Sequence, residues 1–116
     1  MSITSKVRQT VVLTGTGQLQ SLVVDNTANP TTGTATNITK INIMNIFAMS
    51  SAANADIKIY NETGSATAKN LVYHGKFGAA ADAVHEFKLP GAGIYCDDGA
   101  YAVLTNIDFF YVVGTF

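Results

Sequence analysis

The sequence predicts an all-β fold: an antiparallel β-sandwich or jelly roll of about nine short strands, in one domain spanning residues 1–116. Three observations point there. Turn-forming residues recur roughly every ten positions, as they do in all-β chains. The pieces between them alternate apolar and polar, the signature of a strand with one dry face. The alanine-rich stretches 48–55 and 79–83 fall short of the ~12 residues that an isolated helix needs.

The elements follow in chain order. Ile3, Val7, Val11 and Leu13 sit at odd positions with Thr4, Lys6, Arg8 and Thr10 between them, which reads as a half-buried strand. Thr14-Gly15-Thr16-Gly17 breaks it, and Gln18 to Val24 reads as the return strand of a hairpin. Asp25 to Asn37 holds Asn, Pro, Thr and Gly with almost no apolar anchors and reads as a loop. Ile38 to Met49 is a long apolar strand whose phase changes part-way: Ile41 and Ile43 share one parity, Met44 and Ile46 the other. A β-bulge near Met44 or Asn45 reconciles them, as would burial on both faces. Ala55 to Tyr60 alternates cleanly. Asn70 to Phe77 and Val84 to Leu89 follow, separated by residues 78–82. Ile94 to Cys96 and Ala100 to Thr105 flank Asp97-Asp98-Gly99, a hairpin signal. Ile107 to Phe116 closes the chain.

Composition excludes several classes of function. Charged residues make up 13% of the chain and the formal net charge is -1. A protein that grips nucleic acid through its phosphates needs a basic surface, as does one that binds anionic membranes, so neither partner is expected. No apolar run reaches the ~20 residues of a spanning helix, and the N-terminal residues lack the apolar core of a signal peptide. A cytoplasmic site of synthesis follows as an expectation. A near-zero net charge favours association.

The chemistry-bearing residues are few. Cys96 is the single cysteine, and His74 and His85 are the two histidines. A nucleophilic thiol needs a base and a group to orient it. His74 or His85 with Asp97 could serve in principle, but no catalytic motif surrounds Cys96, and a buried structural thiol is the simpler reading. His74, Asp82, His85, Asp97 and Asp98 have no recognised ligand spacing, so no metal or cofactor is expected. His85 shares parity with Phe87 and Leu89 and reads as a satisfied core histidine. Asp97 and Asp98 beside Gly99 read as turn residues. Tyr60, Tyr73, Tyr95 and Tyr101 could stack on sugar rings, which leaves a carbohydrate-binding module as an alternative. The chain is read as non-enzymatic.

The last strand is the most informative. Phe109, Tyr111 and Val113 fall on one face, and Phe110, Val112 and Phe116 on the other. A strand that is apolar on both sides must be covered on both sides, and the outer face of a one-domain sandwich is ordinarily wet. A long loop of the same chain or another subunit would supply the cover; aromatic stripes make typical interface cores, which favours another subunit. The expected contact residues are Ile3, Val7, Phe109, Phe110, Tyr111, Val112 and Phe116.

The second half of the chain carries a resemblance. Its elements are Ile57-Lys58-Ile59-Tyr60-Asn61, the turn Gly64-Ser65, Leu71-Val72-Tyr73-His74-Gly75, Phe87-Lys88-Leu89-Pro90-Gly91-Ala92-Gly93-Ile94, and Gly99-Ala100-Tyr101-Ala102-Val103-Leu104-Thr105. This order of strands and turns resembles small virion structural proteins of tailed bacteriophages, including capsid decoration (cement) proteins. The likeness spans residues 57–116; residues 1–54 carry no matching motif. It implies a sandwich or jelly roll that oligomerises, often as a homotrimer, and binds the major capsid protein on the outside of the capsid. Tail or fibre components are the neighbouring alternative.

Overall fold

The computed structural model describes residues 6–25, 32–77 and 83–116. Within them lie eleven strands: β1 (Val7–Gln9), β2 (Gly17–Gln18), β3 (Gln20–Asp25), β4 (Thr32–Asn37), β5 (Ile41–Ser50), β6 (Ala55–Tyr60), β7 (Leu71–Phe77), β8 (Val84–Lys88), β9 (Ile94–Cys96), β10 (Tyr101–Thr105) and β11 (Ile107–Thr115). A 3₁₀ turn, Ala68–Asn70, is the one helical element among the described residues. No helix among them is long and apolar enough to cross a membrane.

Two antiparallel sheets face each other. The first has the order β1-β11-β5-β8, with β9 continuing the β8 edge of β5; the second has the order β2-β10-β6-β7. Between them lies one core. Ile41, Ile43, Ile46, Ala48, Phe110 and Val112 enter it from the first sheet, and Ala55, Ile57, Ile59 and Ala102 from the second. The all-β, antiparallel, sandwich-like architecture expected from the turn spacing is therefore present.

β5 contains the expected bulge. Val113 pairs with Asn45 and Gly114 with Ile43, so Met44 is the extra residue. Ile41 and Ile43 face the core before it, and Ile46 and Ala48 after it. One inserted residue resets the phase, and burial on both faces is not needed. The backbone around the bulge is tightly flanked. A Cβ on Gly114 would lie 2.1 Å from the Asn42 carbonyl oxygen, and one on Gly93 would lie 2.1 Å from that of Ile43. Glycine is required on both sides of β5 because its neighbours approach backbone to backbone.

Three sequence expectations need correction. First, residues 7–13 and 18–24 do not form a hairpin. β1 pairs with β11, β2 with β10, and β3 with β4. Thr14–Gly17 instead carries the chain from one sheet toward the other. Second, the expected loop Asp25 to Asn37 contains a strand. β4 pairs with β3 through six residue pairs to make a separate two-stranded arm, and residues 26–31 lie outside the described residues. Residues 33–37 of Thr-rich β4 are all exposed, which removes the alternation that marks a strand. Third, Asp97-Asp98-Gly99 turns the chain but makes no hairpin: β9 belongs to the first sheet and β10 to the second. A turn signal fixes reversal of direction, not the choice of partner.

That corner is held by side chains. Asn61 Nδ2 donates to Asp97 Oδ1 at 2.8 Å, and Asp98 N donates to Asn61 Oδ1 at 2.9 Å. Thr63 Oγ1 donates to the Asp98 carbonyl at 2.7 Å. Nearby, Glu62 accepts from Ser65 Oγ, from Thr67 Oγ1 at 2.6 Å and from Thr67 N at 2.7 Å. These donors favour the carboxylate, led by the Ser65 hydroxyl and then the Thr67 hydroxyl and amide, and hold its pKa at about 2 against an ordinary 4.5. A depressed carboxylate contributes its stabilisation above the unfolded pKa and loses it as pH falls through the folded one. The turn 61–67 is thus expected to persist at pH 4 and to loosen only as the pH approaches 2. Carbon-detected NMR titration of the Glu62 carboxyl checks this; a midpoint above 4 contradicts it.

Candidate functional site

The two sheets present opposite outer faces. On the second sheet, Asp56 and Lys58 of β6, His74 and Lys76 of β7 and Thr105 of β10 point outward. That face is mostly polar, as expected of a wet sheet, with Val103 and Tyr101 of β10 beside these residues.

The first sheet differs. Residues 109, 111, 113 and 115 of β11 alternate away from the core, while Phe110 and Val112 alternate into it. Opposite Tyr111 on β5 stands Phe47, and opposite Phe109 stands Met49. The rings of Phe47 and Tyr111 stack at 4.9 Å between centroids, 12° from parallel, and Phe109 lies 6.3 Å from Tyr111 at 16°. Such offset-stacked pairs contribute about 0.5–1.5 kcal/mol beyond their area burial. The rings are half-buried, with β1, β5, β8, β9 and β11 as the strands of their sheet among the described residues. Val84, opposite Met49, is 67% exposed, and Val7, opposite Thr115, is 62% exposed. Asn45 donates to Glu86 at 3.1 Å along the rim. The result is an aromatic and aliphatic strip on an otherwise open sheet face, with polar groups at its border, the usual plan of a protein contact surface.

The structure sorts the expected contact residues. Val7, Phe109 and Tyr111 lie on this outer face. Phe110 and Val112 do not: both are fully buried in the core of their own chain, so they are withdrawn from the contact set. Their alternation with Phe109 and Tyr111 forces them inward. Phe116 packs at the edge of the core, where the Arg8 guanidinium sits 4.3 Å from its ring centroid and donates to the Phe116 main-chain oxygen at 2.9 Å. Ile3 lies outside the described residues. Sequence reasoning missed Phe47, Met49 and Val84. The outward phase of Phe47 and Met49 depends on the bulge in β5, and the pairings of Phe47 with Tyr111 and of Met49 with Val84 depend on long-range register.

Cys96 and the two histidines stand apart. The partner of Cys96 on β5 is Ile41, whereas His85 pairs with Ala48 on the same strand. Seven residues along a strand span about 23 Å. His74 lies on the outer face of the other sheet. Cys96 itself is fully buried, and burial, aided by the Asp97 charge, pushes its thiol up to about 11. The thiolate is the reactive form, so the native protein should resist Ellman's reagent at pH 8 and react fully once unfolded in guanidinium. Rapid labelling of the folded chain would contradict this burial.

Among the described residues no three His, Cys, Asp or Glu side chains gather as a metal site. Asp97 and Asp98 serve the corner, and Asp82 lies outside the described residues. His85 faces inward as expected and stacks on Phe77 at 4.3 Å, but its buried Nε2 has no hydrogen-bond partner among the described residues, so it is not a satisfied core histidine. The four tyrosines do not share a platform. Tyr60 is buried, Tyr73 packs on the core, Tyr101 neighbours Tyr60, and Tyr95 stands exposed on the other sheet.

No known protein family, curated protein or solved structure matches the chain.

Proposed function

We propose that this chain is a non-enzymatic virion structural protein, a capsid decoration (cement) protein. In this reading it assembles with copies of itself as a trimer and binds the major capsid protein on the surface of a phage head. The observation that carries the reading is the outward-facing, half-buried ladder of Phe47, Tyr111 and Phe109. An apolar strip of this kind on a small soluble domain calls for a protein partner. The low charge and the strand-and-turn order of residues 57–116 agree with it.

The mechanism is burial of surface across joints between capsomers, with no reaction and no cofactor. A protein that binds only the assembled shell stabilises that shell by mass action, by about 2.7 kcal/mol per site at a hundredfold excess over Kd. Quantitative mass spectrometry of purified particles tests the reading. Stoichiometric presence on heads, with earlier thermal rupture of heads lacking the protein, is expected. Recovery on tails alone would assign a tail or fibre role, and binding on a glycan array a carbohydrate-binding one. Absence from particles would end the virion reading.

A further inference from the structure

We propose that the outer face of the four-stranded sheet binds a phosphate group, held between the Lys58 and Lys76 ammonium groups beside the His74–Asp56 pair. The proposal is independent of the assembly reading, because it concerns the opposite face of the sandwich.

The arrangement comes from register. Lys58 pairs directly with His74, and Asp56 directly with Lys76. The four side chains make a square block on one sheet face. Across such a block, the neighbour directly opposite is the closest, and here it would give Asp56 to Lys76. The structure does otherwise. His74 Nε2 meets Asp56 Oδ1 at 2.6 Å along one diagonal. An ionised carboxylate only accepts, so Nε2 donates. The carboxylate is thereby engaged, and the other diagonal is left with two ammonium groups. Neither lysine has an ion-pair partner among the described residues.

The block lines an open concave pocket of about 410 Å³, together with Asn54, Phe77 and Thr105. Thr105 lies opposite Asp56 on β10, which adds a hydroxyl to the same side as the lysines. The His74–Asp56 contact crosses between the two lysines, and its single carboxylate leaves one of the two ammonium charges of the block uncompensated. An oxyanion offsets that charge and supplies acceptors for the ammonium donors and the hydroxyl. The resident Asp56 charge disfavours extended polyanions, in keeping with the low overall charge. The group is therefore free phosphate or a phosphate monoester on a small molecule.

The test is titration of the full chain with inorganic phosphate at constant ionic strength, followed by ¹H–¹⁵N NMR. Saturable shifts confined to Lys58, His74, Lys76 and Thr105 are expected. The double variant Lys58→Gln, Lys76→Gln, with both positions on the sheet surface, should weaken binding at least tenfold while leaving the other resonances in place. Asp56→Asn should retain or tighten binding, because it removes a negative charge. Glucose 6-phosphate forms the second arm: at least tenfold tighter binding assigns a monoester ligand, and equal or weaker binding assigns the free anion. Shifts that never saturate, or that chloride reproduces, overturn the proposal. So does undiminished binding in the double variant, or loss of binding in Asp56→Asn.

Discussion

Phe110→Ala is expected to lower the stability of the fold by about 3–5 kcal/mol, the usual cost of emptying a buried aromatic site. Phe110 is the largest fully buried side chain among the described residues. It sits between the sheets on β11, opposite Ala48 of β5. Its backbone also exchanges two hydrogen bonds of 2.8 Å with Leu13, tying the N-terminal segment to the sheet. A chain of this size has roughly 5–15 kcal/mol in total, so the variant should be largely unfolded at modest urea. Urea denaturation followed by circular dichroism measures the midpoint. A loss below about 1 kcal/mol would mean that the site collapses around the gap and that Phe110 does not anchor the core.

Tyr111→Glu is expected to abolish self-association with little effect on folding. Tyr111 is the central ring of the outer ladder, stacked on Phe47 and flanked by Phe109. A charge placed at the centre of an apolar contact is desolvated without a partner, and central aromatic positions typically carry 2 kcal/mol or more of binding, about thirtyfold in affinity. Within the monomer the change removes two ring contacts from a half-exposed site, at a cost of about 1 kcal/mol. Light scattering should report an oligomer for the native chain and 12.2 kDa for the variant. If the native chain is itself monomeric at 100 µM, the self-association part of the proposal fails. The comparison with Phe110→Ala separates the roles of adjacent residues: one variant loses the fold, the other the contact.

Much of the fold was legible because it is written in local pattern. The alternation Ala55, Ile57, Ile59 against Asp56, Lys58, Tyr60 marks β6, although Tyr60 itself is buried. The change of parity after Ile43 marks the bulge at Met44. What was not legible is long-range. Asp97-Asp98-Gly99 has the composition of a hairpin turn yet joins two sheets, since the destination of β10 is fixed by its pairing with β6. β4 escaped notice because all its described side chains face water and its stabilisation comes from ladder bonds to β3. At the candidate contact surface, β11 announced itself through its aromatic content. Its other half, on β5 and β8, was hidden because Phe47 and Val84 become neighbours of the strip only through register. The phosphate site was likewise invisible, since which of Lys58, His74 and Lys76 engages Asp56 is a matter of three-dimensional choice.

The extra residue at Met44 reaches further than the strand that contains it. Side chains on a strand alternate strictly, so shortening β5 by one position there would exchange its inside and outside rows from residue 45 onward. Phe47 and Met49 would turn into the interior, and Ile46 and Ala48 would turn to solvent. Half of the stacked ladder would vanish from the exterior without any change to an aromatic residue. A single-codon deletion could thus erase the meeting ground for other molecules, which makes the kink in β5 the place where architecture and association are set together.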